Sequence, residues 1–189
     1  MRKLLHEEIP RPDPALLASI PRHPVRILLD NIRSAHNVGA ILRTADALRL
    51  EEVICCGYTP AADHRSVYKT SLGAEETVPW RHEKDPLQIV SDLKSSGYII
   101  AALELTDSPS TVVSLGSQHF PLALIAGNEV DGVSNELLAF CDLALEIPQF
   151  GSKQSLNVAV AAGITCHELV HRYRRLHDKP VFSSGDPRF

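Results

Sequence analysis

Three groups of hydrogen-bonding residues stand where apolar runs stop. The first is Asn37-Val-Gly-Ala-Ile-Leu-Arg43. Asn37 and Gly39 fall at the expected start of a helix, where free backbone N–H groups favour anions. Arg43 lies off the Val38/Ile41/Leu42 stripe, beside Ala40 and Ala47 at helical spacing, so small neighbours leave its guanidinium room for a bulky ligand. Alone, it is equally well an exposed surface arginine. The second group is Gly127-Asn128-Glu129, with Gly132 shortly after. A strand ending this way lets backbone approach a ligand closely and offers one carboxylate beside it, although turn chemistry alone would also explain it. The third group spans 147–157, Ile147-Pro-Gln-Phe-Gly-Ser-Lys-Gln-Ser-Leu-Asn157. Gly151 suits an irregular loop, Ser155 is expected as a helix N-cap, and Asn157 brings both a donor and an acceptor to the first turn. The following Val158-Ala-Val-Ala-Ala-Gly163 keeps that helix slim enough for another segment to pass close by. Capping and ordinary core packing are the plainer explanations.

A competing pattern is His167-Glu-Leu-Val-His171, which fits the HExxH helix of zinc metalloproteases, with His177 where an extended motif places a third histidine. Arg174 occupies the position that needs glycine to end the helix. If the helix continues, His177 points about 100° away from the His167/His171 midline. The sole methionine is Met1, so no Met-turn can form. So short a pattern arises by chance in a histidine-bearing amphipathic helix, and the protease stays a remote alternative. The chain has no dinucleotide fingerprint after its first strand, no P-loop and no GxSxG turn.

The elements that must position these groups alternate. Apolar runs predict strands over 25–30, 52–57, 76–80, 98–103, 121–127 and 142–147. Helices are expected from Asn37 to about residue 50, over 64–72, from Asp85-Pro86 to Gly97, from Ser134 to about 140, and from Ser155 to about 177. Continuous apolar runs such as 98–103 suit strands covered on both faces. The fold class is therefore α/β, a mostly parallel sheet with helices on both faces, in which ligands gather at strand C-terminal ends. Residues 1–24, rich in proline after position 9, are expected as an N-terminal arm, 25–178 as the one folded domain, and 179–189 as a C-terminal tail, loose over 183–189.

With 189 residues, 44% of them hydrophobic, the chain can bury one good core. Lys and Arg number 19 against 23 Asp and Glu, a net charge of −4, so binding to nucleic acid needs a local basic patch. Arg22, Arg26 and Arg33 near the start, and Arg172, Arg174, Arg175 and Lys179 near the end, are the candidates, with Tyr173 available to stack. Cations at a helix C-terminus are also favoured by its dipole alone. No apolar run reaches membrane-spanning length and the N-terminus lacks the apolar core of a signal peptide. Cys55, Cys56, Cys141 and Cys166 show no paired or CxxC spacing. Adjacent Cys55 and Cys56 in an apolar strand are expected as reduced, buried residues of a soluble, cytoplasmic chain.

Taken together, the three groups resemble the SpoU (TrmH) family of SPOUT methyltransferases, across about 25–175 and in the family's order. The matching residues are Asn37, Gly39 and Arg43; Gly127, Asn128 and Glu129; and Ile147, Pro148, Ser155, Leu156 and Asn157. Val130-Asp131 stands where the family usually has a glycine, and Gln149-Phe150 replaces a more usual methionine-led pair. The resemblance implies a C-terminal trefoil knot, a homodimer, and transfer of a methyl group from S-adenosylmethionine to a ribose 2′-hydroxyl of tRNA or rRNA, without a metal. It implies a cofactor held largely by backbone at Leu103, Glu104, Gly127, Ile147, Pro148 and Leu156. Arg43, Glu129, Ser155 and Asn157 would form the catalytic set, with Glu129 and Asn157 fixing Arg43. Asn37, Arg43, Ser155, Arg172, Arg174 and Arg175 would hold RNA. A SPOUT-fold chain that binds RNA without catalysis is the alternative.

Overall fold

The computed structural model describes residues 1–8 and 13–179. Fourteen regular elements of these residues build one sheet and two helical layers. They are α1 (Pro14–Ser19), β1 (His23–Asp30), α2 (Ala35–Ala47), β2 (Leu50–Cys56), α3 (Arg65–Ser71), α4 (Ala74–Thr77) and β3 (Trp80–Glu83), then α5 (Pro86–Ser95), β4 (Ile99–Leu103), β5 (Pro109–Ser110), β6 (Leu122–Ala126), α6 (Asn135–Leu138), β7 (Leu143–Leu145) and α7 (Val158–Leu176). Every strand pairing is parallel, in the order β3-β2-β1-β6-β4-β7-β5.

Strand alternation divides the core into two layers. In β1, Val25, Ile27 and Leu29 join one cluster with α2 and α7, while Leu28 joins the other with Ile89, Val90 and Leu93 of α5 and Leu137 of α6. The same split separates Leu124 from Ile125 in β6 and Ala101 from Ala102 in β4. Both faces are covered, which is why β4 and β6 are continuous apolar runs in the sequence. Each buried Leu or Ile contributes roughly 1.5–3 kcal/mol through removal from water.

Register then lines up the strand ends. Leu29 pairs with Ala126, Ala126 with Leu103, and Leu103 with Leu145, so four strands stop along one row. The segment between β7 and α7 must pass this row, because α7 packs back on α2 and β1 although β7 lies three places from β1 in the sheet.

Several local expectations need correction. Ser34, not Asn37, caps α2, its hydroxyl accepting from Asn37 N at 3.4 Å. Gly39 is not an anion site at the helix start: it lies inside α2 where a Cβ would overlap Thr70 Oγ1 and press on the Val67 carbonyl, so glycine lets α3 pack close. The strand expected over 76–80 starts at Trp80, because Ala74–Thr77 form one helical turn first. Residues 13–24 are not featureless: Asp13 caps α1, and β1 begins at His23. The looseness expected of the tail concerns 183–189, which lie outside the described residues. Burial pushes the Cys55 and Cys56 thiols up to about 12, consistent with inert, reduced cysteines.

Candidate functional site

A cleft of about 370 Å³ opens over the row of strand ends. Leu103, Ala126 and Leu145 form its floor. Gly127–Gly132 form one wall and 154–158 another, so two of the three groups of polar residues meet here. Gly127 must be glycine: a Cβ would collide with the Gly132 carbonyl and Val133 N, where the chain doubles back. Glu104 braces that doubled loop, its Oε2 accepting from Val133 N at 2.9 Å and its Oε1 from Leu105 N at 2.9 Å.

Asn128 is the buried centre of the loop. Its Nδ2 donates to the Asn31 carbonyl and to Tyr58 Oη, both at 2.7 Å. Its Oδ1 accepts from Val130 N at 2.8 Å and Asp131 N at 3.2 Å. Next to it, Glu129 reaches across to the start of α2. Its oxygens accept from Arg33 N at 2.9 Å, Ser34 N at 3.1 Å and Asn37 Nδ2 at 2.8 Å. Burial raises the Glu129 carboxyl's pKa, but these donors outweigh it and hold the group below the usual carboxylate range.

Asn37 passes the link onward: its Oδ1 accepts from Asn157 Nδ2 at 3.1 Å. Asn157 also caps α7, its Oδ1 accepting from Ala159 N at 2.9 Å and Val160 N at 3.3 Å. The expectation that Ser155 caps this helix is therefore corrected. Ser155 lines the cleft, and its hydroxyl makes no hydrogen bond among the described residues. Glu129 and Asn157, expected to fix Arg43 and the loop, make no direct bond to Arg43 and hold the start of α2, the helix that carries it.

Arg43 itself does not line the cleft. It is exposed on α2, six residues beyond Asn37 or about 9 Å along the axis, and makes no hydrogen bond or ion pair among the described residues. Leu103, Glu104, Gly127, Ile147 and Leu156 line the cleft as expected, whereas Pro148 is exposed and does not. Gln149 Nε2 donates to the Gln154 carbonyl at 3.2 Å, closing the loop that carries exposed Phe150.

The expected C-terminal basic group is not brought to the cleft. Arg172 lies about 22 Å along α7 from Asn157. Its Nε donates to the Leu115 carbonyl at 2.6 Å, and Arg174 Nη1 lies 3.3 Å from His23 Nε2. Arg175 is exposed. The HExxH pair sits mid-way along α7, which continues to Leu176, and the His177 ring stacks on Tyr173 at 4.3 Å. No group of three or more His, Cys, Asp or Glu among the described residues could hold a metal ion.

Residues 24–167 match the SpoU rRNA methylase family. The chain belongs to that family. A relative is the 23S rRNA (guanosine-2′-O-)-methyltransferase RlmB of Neisseria meningitidis serogroup B, 33% identical over 168 residues, covering 88% of this chain and 65% of its own length. Family members also include solved structures. An AdoMet-bound rRNA methyltransferase from Sinorhizobium meliloti superposes with a TM-score of 0.73 at 26% identity, covering 92% of this chain and 62% of that one. The TrmH/SpoU tRNA modifying enzyme of A. aeolicus gives 0.73 at 27% identity, covering 88% and 84%. The chain thus spans a little under two thirds of the length of RlmB and of the S. meliloti enzyme.

Sequence reasoning missed Asn31, Tyr58 and Thr59, which tie the ends of β1 and β2 together. Thr59 Oγ1 accepts from Ile32 N and donates to the Leu29 carbonyl, each at 2.9 Å. The signal was present in Gly57-Tyr58-Thr59, a strand ending in glycine and polar groups like Gly127-Asn128-Glu129.

Proposed function

We propose that this chain transfers the methyl group of S-adenosylmethionine to a ribose 2′-hydroxyl of tRNA or rRNA. The observation that carries this is the Glu129–Asn37–Asn157 chain of hydrogen bonds, which locks the start of α2 and the start of α7 around one cleft at the strand ends. S-adenosylmethionine suits that cleft. Its volume is in the range of small-ligand sites. Its wall carries the carboxylates of Glu104, Asp131 and Glu146, which complement a cation, and the apolar Leu103, Ile147 and Leu156. Leu103, Glu104, Gly127, Ile147 and Leu156 would hold the group, largely through backbone, with exposed Pro148 shaping the loop.

When bound, its sulfonium supplies an electrophilic methyl group. The protein's part is to bring the hydroxyl in line and to stabilise negative charge developing on its oxygen. Ser155, with its hydroxyl unengaged, touches the ribose. Arg43 holds the adjacent phosphate with its planar fork and stabilises the oxyanion. A guanidinium does not lose its proton at accessible pH, so Arg43 is not the general base, and the proton leaves to phosphate or water. Glu129, Asn37 and Asn157 are positioning residues.

Arg43's absence from the cleft wall supports a homodimer in which α2 meets a second copy. Val160 and Ile164, exposed one turn apart on α7 beside α2, offer the apolar part of that contact. We further infer that the methyltransferase domain, expected over 25–178, starts with β1 at His23 and is followed by a tail (179–189). The return of α7 to β1 supports a C-terminal trefoil knot. Among the described residues no helix is long and apolar enough to cross a membrane, and a cytoplasmic setting suits the RNA substrate. Arg175 and Arg174, with Arg172, would serve RNA only through their exposed edges.

Isothermal titration tests the reading. S-adenosylmethionine should bind and raise the melting temperature by linkage, and cellular RNA should gain ribose-methylated nucleosides in mass analysis. A folded chain that binds RNA but not the cofactor would leave only the non-catalytic alternative.

A further inference from the structure

Tyr58 is an aromatic residue in an unusual position: 61% exposed, yet held at both ends. Its Oη accepts from Asn128 Nδ2 at 2.7 Å, and its backbone N donates to Asn31 Oδ1 at 3.2 Å. Gly57 before it has φ +63°, with Asn31 Oδ1 where a Cβ would stand. Thr59 after it is buried and bonded to Leu29 and Ile32. An exposed ring ordinarily turns freely, but this one is fixed by a buried amide.

That amide is shared with the cleft. Asn128 precedes Glu129, and its other end accepts from Val130 N, so it holds exposed Tyr58 on one side and exposed Val130 on the other. Val130 lines the cleft; Tyr58 stands just outside it. Arg33 follows Asn31 and Ile32, the residues bonded to Tyr58 and Thr59. Its backbone N donates to Glu129, while its guanidinium makes no hydrogen bond or ion pair among the described residues. A rigid aromatic face and an unengaged guanidinium, both tied to the Asn128-Glu129 loop, are the two groups that hold a single-stranded nucleotide, one stacking on its base and the other contacting its phosphate.

We propose that Tyr58 is a stacking platform for a nucleobase of the RNA substrate, with Arg33 on that nucleotide's phosphate and Asn128 setting the angle of the ring. This rests on the RNA reading above and adds a second contact to it, on the β2 side of the cleft. A base that stacks on Tyr58 must first leave the stack of its own neighbours. The platform therefore favours loops and bulges over duplex RNA.

The test is methylation of total RNA from cells lacking the protein, with labelled S-adenosylmethionine, by Tyr58→Leu, Tyr58→Phe, Tyr58→His and Tyr58→Trp variants. Leucine keeps apolar bulk but loses the ring, and should raise the KM for RNA about tenfold, within the range of base–aromatic stacking. Phe and Trp should stay within about threefold of the parent, with His in between. Cofactor affinity should not move in any variant, which a general disturbance of Asn128 would not allow. An unchanged KM in Tyr58→Leu overturns the proposal, as does a Phe variant as impaired as Leu, since the hydroxyl would then be what matters. If Tyr58→Leu is unstable, the order Trp, Phe, His decides alone, and equal KM values across it overturn the proposal. If the parent binds this RNA without methylating it, the same ratios are read in Kd. A parent that binds no RNA overturns the RNA reading too, whereas active parent and unaffected variants overturn the platform only.

Discussion

The arginines at the two ends of the sheet are used differently. Around the strand starts Arg26 pairs with the Glu51 and Glu52 carboxylates, and three others donate to main-chain carbonyls. Arg22 reaches the Leu50 and Thr77 carbonyls at 3.1 and 2.6 Å, Arg49 those of Leu17 and Ile20, and Arg172 that of Leu115. At the strand ends, Arg33 and Arg43 are exposed and make no such bonds among the described residues. A guanidinium that satisfies half-buried carbonyls is structural, because its removal leaves acceptors unpaired. One that faces water beside a cleft remains available for an anion. Counting basic residues along the chain does not separate the two; the acceptors they reach do.

The sharpest way to break this contrast is Arg43→Ala. Turnover should fall by at least about a hundredfold while cofactor affinity holds, because the cleft is built from other segments. Arg43→Lys should recover little, since an ammonium lacks the planar fork. Methyl-transfer kinetics with calorimetry check both, and near-full activity in either variant would make Arg43 another surface cation.

Glu129→Gln should act less strongly, lowering kcat about tenfold by loosening the start of α2. The acid dependence carries its sign. The folded-state pKa is depressed by the Arg33, Ser34 and Asn37 donors. Its contribution is therefore present above the unfolded value, about 4.3, and is lost as pH falls through the folded one. Thermal melts between pH 3 and 6 should show parent and Glu129→Gln converging at the acid end.

The smallest effects should separate Arg172 from Arg33. Arg172→Ala should lower stability by about 1 kcal/mol, a few degrees in melting temperature, with the salt slope of RNA binding unchanged. Arg33→Ala should leave stability alone and reduce that slope by about 1. The reverse outcome would return the RNA contact to the helix end.

Legibility in the sequence followed the range of the interaction. β4 and β6 were visible because burial on both faces writes an unbroken apolar run, and β1 because only Arg26 interrupts one. The pairing of strand ends with a ligand cleft followed from the parallel order alone. The caps were misplaced by two or three residues at α2 and α7 because each helix start offers two competent side chains, Ser34 and Asn37, Ser155 and Asn157. A residue 92 positions away settles the first case: Glu129 engages the Asn37 amide, leaving capping to Ser34. No local pattern contains that partner. The same holds for Arg172, whose acceptor lies 57 positions upstream, and for the Tyr58–Asn128 tie across 70.

The bond from Asn157 to Asn37 also has a meaning in time. It joins residues 120 apart. A chain growing from its N-terminus can pair β1 with β2, and later β6 and β4, well before Asn157 exists, so domain-building contacts precede this closure during synthesis. The capped end of α7 follows all seven strands in the sequence, and the wall it forms cannot be present on a nascent chain that stops before it. A nascent chain that stops short of α7 would thus hold most of the sheet and little of the cleft. Ligand affinity in a series of C-terminal truncations should rise as a step once α7 is included rather than in proportion to length.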